Sequence, residues 1–179
     1  MELMDAILHR RSIRKYKNED IPVKKLEQIL QAGLLAPSSR NLRPCRLVLI
    51  RDRNTLEKLS GVKKTGGAML TECNAAIAVL ADSEKADTWI EDSSIALAYM
   101  NLMAASLEVG SCWCQIHLRA TASGKDAEAA VREILSVSER FRIVGILALG
   151  IPLAAAAPHS LGEADLGDVL EWPLQTDLE

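Results

Sequence analysis

The chain has 179 residues, 49% of them hydrophobic, enough for one domain with a sizeable core and no need of a second. Its net charge of −3 and its six aromatic residues, three Trp, two Tyr and one Phe, give little support to a nucleic-acid surface built on base stacking. The longest apolar stretch, Ile95 to Leu107, is broken by Asn101 and Ser106 and is too short to cross a bilayer, and the N-terminal residues form no secretory apolar region, so a cytoplasmic protein is expected.

Taken in order, the chain begins with a short amphipathic segment, Glu2 to Leu8, and then R-R-S-I-R-K-Y, in which Arg10, Arg11, Ser12 and Arg14 can present forked donors to a phosphate dianion. A solvated basic surface is the plainer reading of such a cluster. Pro22 is well placed to start a helix over Val23 to Ala36, and Pro37 to stop it. The polar run Ser38, Ser39, Arg40, Asn41, Leu42, Arg43, Pro44 follows, then an apolar strand, Leu47 to Ile50. Asn54 is expected to cap a short helix through Leu59; Gly61 to Gly67 reads as a loop and Ala75 to Ala81 as a strand. From Thr88 to Val109 the pattern is helical and apolar on almost every face from Ile95 onward, so this helix must be covered on most sides, by its own domain or by a partner. Gly110 is expected to end it in a left-handed conformation. Ser111 to Leu118 reads as a strand, Lys125 to Leu135 as an amphipathic helix and Arg142 to Leu149 as a buried strand. After Pro152 no core element is evident, and residues 153–179 read as an arm. Together these elements predict an α+β sandwich around a mixed or antiparallel sheet.

Charge is unevenly spread: residues 1–64 hold 15 of the 21 basic and 7 of the 24 acidic residues. That basic half contains both polar loops, which favours a phosphorylated ligand. The four cysteines, Cys45, Cys73, Cys112 and Cys114, make no C-x-x-C pair and have no histidine at zinc-site spacing, so no metal is expected. Cys112 and Cys114 should share one face of their strand. No Ser-His-Asp set, carboxylate pair or G-x-G-x-x-G motif points to hydrolysis or to a Rossmann nucleotide domain.

Four elements in order, R-R-S-I-R-K-Y, A-P-S-S-x-N-x-x-P, G-S-C-W at Gly110 to Trp113 and L-G-I-P at Leu149 to Pro152, resemble the FMN-dependent nitroreductase family. The resemblance spans about residues 2–152, with an echo at Leu166 to Trp172. It implies a single-domain, three-layer sandwich forming an intertwined homodimer, with two FMN sites at the subunit interface, no membrane or nucleic-acid partner, and NADH or NADPH as electron donor. By the same resemblance Arg10, Arg11 and Ser12 hold the FMN phosphate and ribityl chain. Arg14 lies near the N1 and C2 carbonyl edge, where it stabilises the negative charge of reduced flavin; it is the one protein group with a catalytic role. Pro37, Ser38, Ser39 and Asn41 meet the flavin from the partner chain, and Trp113, Cys114 and Gln115 form the segment whose backbone approaches N5 and O4. Trp113 could equally be core, and the Pro37 loop an ordinary helix-ending turn.

The implied activity is a two-step, ping-pong reduction of nitroaromatics, quinones or related small acceptors; the alternative is a non-catalytic FMN store or redox sensor. Two departures stand out. Cys45 occupies a place where the family often has tryptophan, and the C-terminal base that many members place on the phosphate has no evident match, His159 being the nearest candidate. Arg11 is expected to compensate, so that Arg11→Ala should weaken FMN retention. Lys63 and Lys64 could reach the ring or the nicotinamide donor. Leu166, Val169, Leu170 and Trp172 are expected to dock on the partner.

Overall fold

A computed structural model describes residues 2–169. Four strands, β1 (Cys45–Ile50), β2 (Ala75–Asp82), β3 (Gly110–Gln115) and β4 (Phe141–Gly150), form one sheet in the order β1-β2-β4-β3, every pair antiparallel. The central strands β2 and β4 are apolar at nearly every position because both their faces are covered.

On one face lie α1 (Leu3–His9), α2 (Val23–Leu35) and the long α5 (Trp89–Ser106); Leu26, Ile29, Leu97, Met100 and Ala104 pack there on Ile77, Val79, Leu147 and Leu149. On the other lie α3 (Arg53–Ser60), α4 (Met69–Glu72) and α6 (Ala127–Leu135), whose Leu56, Leu59, Leu70 and Val131 meet Ala76, Ala78, Ile146 and Ala148. This is the expected α+β three-layer sandwich, with its sheet antiparallel throughout. Cys112 and Cys114 both face the second layer, as the period of two requires, while Trp113 faces the first.

Several expected boundaries move. The α3 helix is capped by Asp52, whose carboxylate accepts from Thr55 N–H at 2.8 Å, so it begins before Asn54. The four-residue α4 is too short to show a period in the sequence. β3 stops at Gln115, and Leu118 already has a positive φ of 57°.

Gly110 does not end α5 in a left-handed conformation. Glu108 does, with φ 59°. Its N–H bonds the Ala105 carbonyl and the Val109 N–H bonds the Ala104 carbonyl, the paired closure of a Schellman motif. Gly110 is instead the first residue of β3, where a Cβ would meet Ile13 and Pro152 side-chain carbons at 3.0 Å. The glycine permits a close approach, not a left-handed turn.

β4 carries one extra residue between Ile146, opposite Ala78, and Ile143, opposite Leu80. Gly145 sits in this bulge, where a Cβ would stand 2.7 Å from Trp113 Nε1.

Candidate functional site

The segment after α1 lies against the open edge of β3. Ile13 N–H donates to the Ser111 carbonyl at 2.9 Å and Ser12 bridges Ser111 in parallel. Tyr16 folds back so that its hydroxyl donates to the Ile13 carbonyl at 2.5 Å, and burial pushes that phenol's pKa up. Its ring covers Gly150, where a Cβ would come within 2.5 Å of it. Lys17 N–H bonds the Ile151 carbonyl at 2.8 Å. The Arg10 to Arg14 stretch is thereby held rigidly over the entrance to β3.

Around that edge the charges converge. Burial pushes the Cys112 thiol's pKa up, while the charges of Arg14, Lys63 and Arg10 and a hydrogen bond from Ser12 pull against it. Lys63 Nζ donates to the Gln115 carbonyl at 3.2 Å. Among the described residues, Arg10, Arg11 and Arg14 form no ion pair with a carboxylate. Strand alternation turns the peptide groups of Trp113 and Gln115 outward together with that of Ser111, whose carbonyl accepts Ile13 N–H on the open edge.

The side chains of that segment face inward. Cys114 is buried, its thiol's pKa raised by burial and pulled back by Lys63. Trp113 is half-buried beside α5 and donates its indole N–H to Gln115 Oε1 at 2.9 Å. What β3 offers outward is backbone. Arg11 lines a pocket with Arg10, Gly110 and Ser111, and its guanidinium donates to the Ala157 carbonyl at 3.0 Å. Sequence reasoning could not place Lys63; its loop is held by buried Val62 and by Lys64 N–H, which bonds the Ala120 carbonyl at 2.9 Å.

The second loop is built differently. Arg40, Asn41 and Arg43 all have positive φ, 52°, 54° and 47°, a strained run for residues with side chains. Polar closures hold it. Ser38 Oγ accepts Arg43 N–H at 2.8 Å, Asn41 Oδ1 accepts Arg43 Nε at 3.0 Å, and the buried Asp92 of α5 accepts Ser39 N–H at 2.9 Å and the Thr88 hydroxyl at 3.2 Å. Arg40 pairs with Asp87. Cys45 lies beside this loop, its thiol 3.8 Å from Ser93 Oγ and its pKa pushed up by burial.

The two groups of candidate residues do not meet within one chain. Ser111 lies opposite Leu149, whereas Cys45, just after the second loop, lies opposite Ala81, which lies opposite Arg142. The Arg10 cluster and the Pro37 loop therefore occupy opposite edges and opposite ends of the sheet. The helical layer exposes Leu3, Met4, Ile7, Leu34, Leu35 and Tyr99.

Residues 153–169 carry two short 3-10 turns, Leu161–Glu163 and Leu166–Asp168. His159 is half-buried, its N–H bonding the Leu8 carbonyl at 2.8 Å and its Nδ1 lying 2.7 Å from Glu163. Leu166 and Val169 are exposed; Leu170 and Trp172 lie outside the described residues. No helix among the described residues is long and apolar enough to cross a membrane.

Residues 7–74 and 62–151 match the model of the nitroreductase family. A relative from Archaeoglobus fulgidus, provisionally named NADH dehydrogenase/NAD(P)H nitroreductase, is 36% identical over 155 residues, covering 84% of this chain and 86% of its own. An FMN-dependent nitroreductase structure from Clostridium difficile R20291 superposes with a TM-score of 0.92 at 36% identity, covering 96% of this chain and 99% of that one. A structure from Desulfovibrio desulfuricans, provisionally named a nitroreductase and solved in complex with FMN, shares the fold, with a TM-score of 0.74 at 24% identity and coverage of 96% and 99%. The family match runs from the last turn of α1 to the end of β4, and the chain belongs to the nitroreductase family.

Proposed function

We propose that this chain is an FMN-dependent oxidoreductase that takes its electrons from NADH or NADPH and reduces nitroaromatics, quinones or related small acceptors in two alternating half-reactions. The observation that carries the reading is the basic segment Arg10 to Arg14 laid along the open edge of β3 by the Ile13–Ser111 bond, with Lys63 bonded to the Gln115 carbonyl of the same strand. The donor set fits the group. Guanidinium and hydroxyl suit a phosphate dianion, and cations beside free peptide groups suit the polar edge of a flavin ring.

FMN, when bound, supplies the redox chemistry, accepting hydride from the nicotinamide and passing two electrons to the acceptor. Arg10 and Ser12 hold its phosphate end. Arg14 and Lys63 place fixed positive charge where negative charge develops, most effectively in a partly dry site. The peptide groups of Trp113 and Gln115 orient the ring, and no protein nucleophile is required.

The Pro37, Ser38, Ser39 and Asn41 loop completes the site from a second copy of the chain. Its placement at the far corner of the sheet supports this, as do the exposed apolar residues of α1, α2 and α5 and a groove of about 460 Å³ between Leu3, Ala32, Tyr99 and Met103. Exposed Leu166 and Val169 give the arm apolar groups to lay on that copy.

The decisive experiment is a visible spectrum of purified protein. The expected result is a yellow protein that bleaches rapidly with NADH or NADPH. A yellow protein inert to both would instead be an FMN store or redox sensor, and a colourless one without FMN affinity would overturn both readings.

A further inference from the structure

Arg11 has its hydrogen-bond partner in the arm. Residues 154–157 are four alanines, with no side-chain donor or acceptor to fix them. They run beside a pocket of about 300 Å³ whose walls include Arg10, Arg11, Ile13, Gly110, Pro152 and Ala154. The arm is stitched down at its root, where Leu153 N–H bonds the Lys15 carbonyl at 3.1 Å and Pro152 bridges Tyr16. At its far end Arg11 grips the Ala157 carbonyl and His159 N–H satisfies the Leu8 carbonyl near the end of α1. The turn that presents His159 is closed by Glu163, whose carboxylate accepts Ser160 N–H at 2.8 Å and meets His159 Nδ1 at 2.7 Å.

We propose that this pocket takes the FMN phosphate and that residues 153–163 are a strap forming one of its walls, latched by Arg11, His159 and Glu163, so that Arg11 is a positioning residue and not a phosphate ligand. The proposal rests on the FMN reading for its ligand and on the geometry alone for its latch. Methyl groups make the wall; backbone bonds at its root and the latch at its far end keep it in place.

Two variants separate the latch from a direct phosphate contact, because their charges differ. Arg11→Ala should release FMN about tenfold faster, the loss of one charged hydrogen bond. Glu163→Gln should also speed release, although removing a carboxylate next to a bound phosphate could only slow it. In FMN-free protein both variants should be cut several-fold faster by a nonspecific protease between residues 153 and 163, mapped by mass spectrometry, while Arg10→Ala loses FMN without changing that cleavage. Slower or unchanged release from Glu163→Gln, or strap cleavage unaltered in both latch variants, would overturn the proposal. A protein that takes no FMN at all would sink the cofactor reading, and the cleavage assay would still decide the latch.

Discussion

Glu108 and Gly110 stand two residues apart with reversed duties. The left-handed position that closes α5 is held by a glutamate at φ 59°, which costs about 1 kcal/mol relative to glycine. Glu108→Gly should therefore raise stability by about 0.5 kcal/mol, part of the gain being lost to the freer unfolded chain. Gly110→Ala should lower it by about 1–3 kcal/mol through overpacking against Ile13 and Pro152. Denaturant midpoints check both, and a destabilised Glu108→Gly would refute the Schellman closure.

Glu128 is the other residue whose environment sets its behaviour. It is buried, accepts both Arg142 Nε and Nη2 at 2.9 Å, meets His117 Nδ1 at 2.6 Å and accepts Ile143 N–H at 2.9 Å. Burial alone would raise its pKa, but the hydrogen bonds from Arg142, His117 and Ile143 and the Arg142 charge win, and the carboxyl is held down at about 2 from an ordinary 4.5. A depressed carboxylate stabilises the fold above its unfolded pKa, so the contribution is complete above about pH 4.5 and disappears as pH falls through about 2. The shift corresponds to about 3 kcal/mol. Acid unfolding of Glu128→Gln should show a flatter pH dependence across that window, from a lower starting stability; an unchanged slope would refute the assignment.

Among the elements, the loop from Pro37 to Pro44 depends most on a residue distant in sequence. Three consecutive or near-consecutive residues with positive φ persist only when surrounding contacts over-determine them, and Asp92 supplies the contact from another helix. Asp92→Ala would leave Ser39 N–H without its carboxylate acceptor. It should cost about 1–3 kcal/mol, and, if the loop faces the flavin of a second copy, also raise the KM for the acceptor. The helix end at Pro37 was legible because proline stops a helix whatever surrounds it. The strain of Arg40, Asn41 and Arg43 was not, since none of them is the glycine that usually signals it. The start of α3 was legible only to within two residues, because Asp52 and Asn54 are both good caps and tertiary geometry selected Asp52.

At the scale of the whole molecule, a single chain cannot bring Arg10 and Asn41 together, because they belong to opposite edges and ends of one sheet. A dimer can, and sedimentation should give twice the chain's mass. Complementation tests the shared site more sharply. An Arg10→Ala chain mixed with an Asn41→Ala chain should recover activity to about half the wild-type value per mixed dimer, since each such dimer has one site with both groups intact and one with neither. No recovery in mixed dimers would place both groups in the same chain's site or outside it.

The sequence by itself determined the layers, because the periods of two and 3.6 set which faces are apolar, and the motifs around Arg10, Ser12, Arg14, Pro37 and Asn41 carried the resemblance that implied the class of ligand. It also made Cys112 and Cys114 share a face, a consequence of strand geometry alone. Only the tertiary structure decided which way Arg11 turns, that Lys63 reaches Gln115, and why position 110 is glycine. Each depends on a contact between segments far apart in the chain, Arg11 with Ala157, Lys63 with Gln115, and Gly110 with Ile13 and Pro152. Residue type and spacing carry no record of such contacts until packing has fixed the distances.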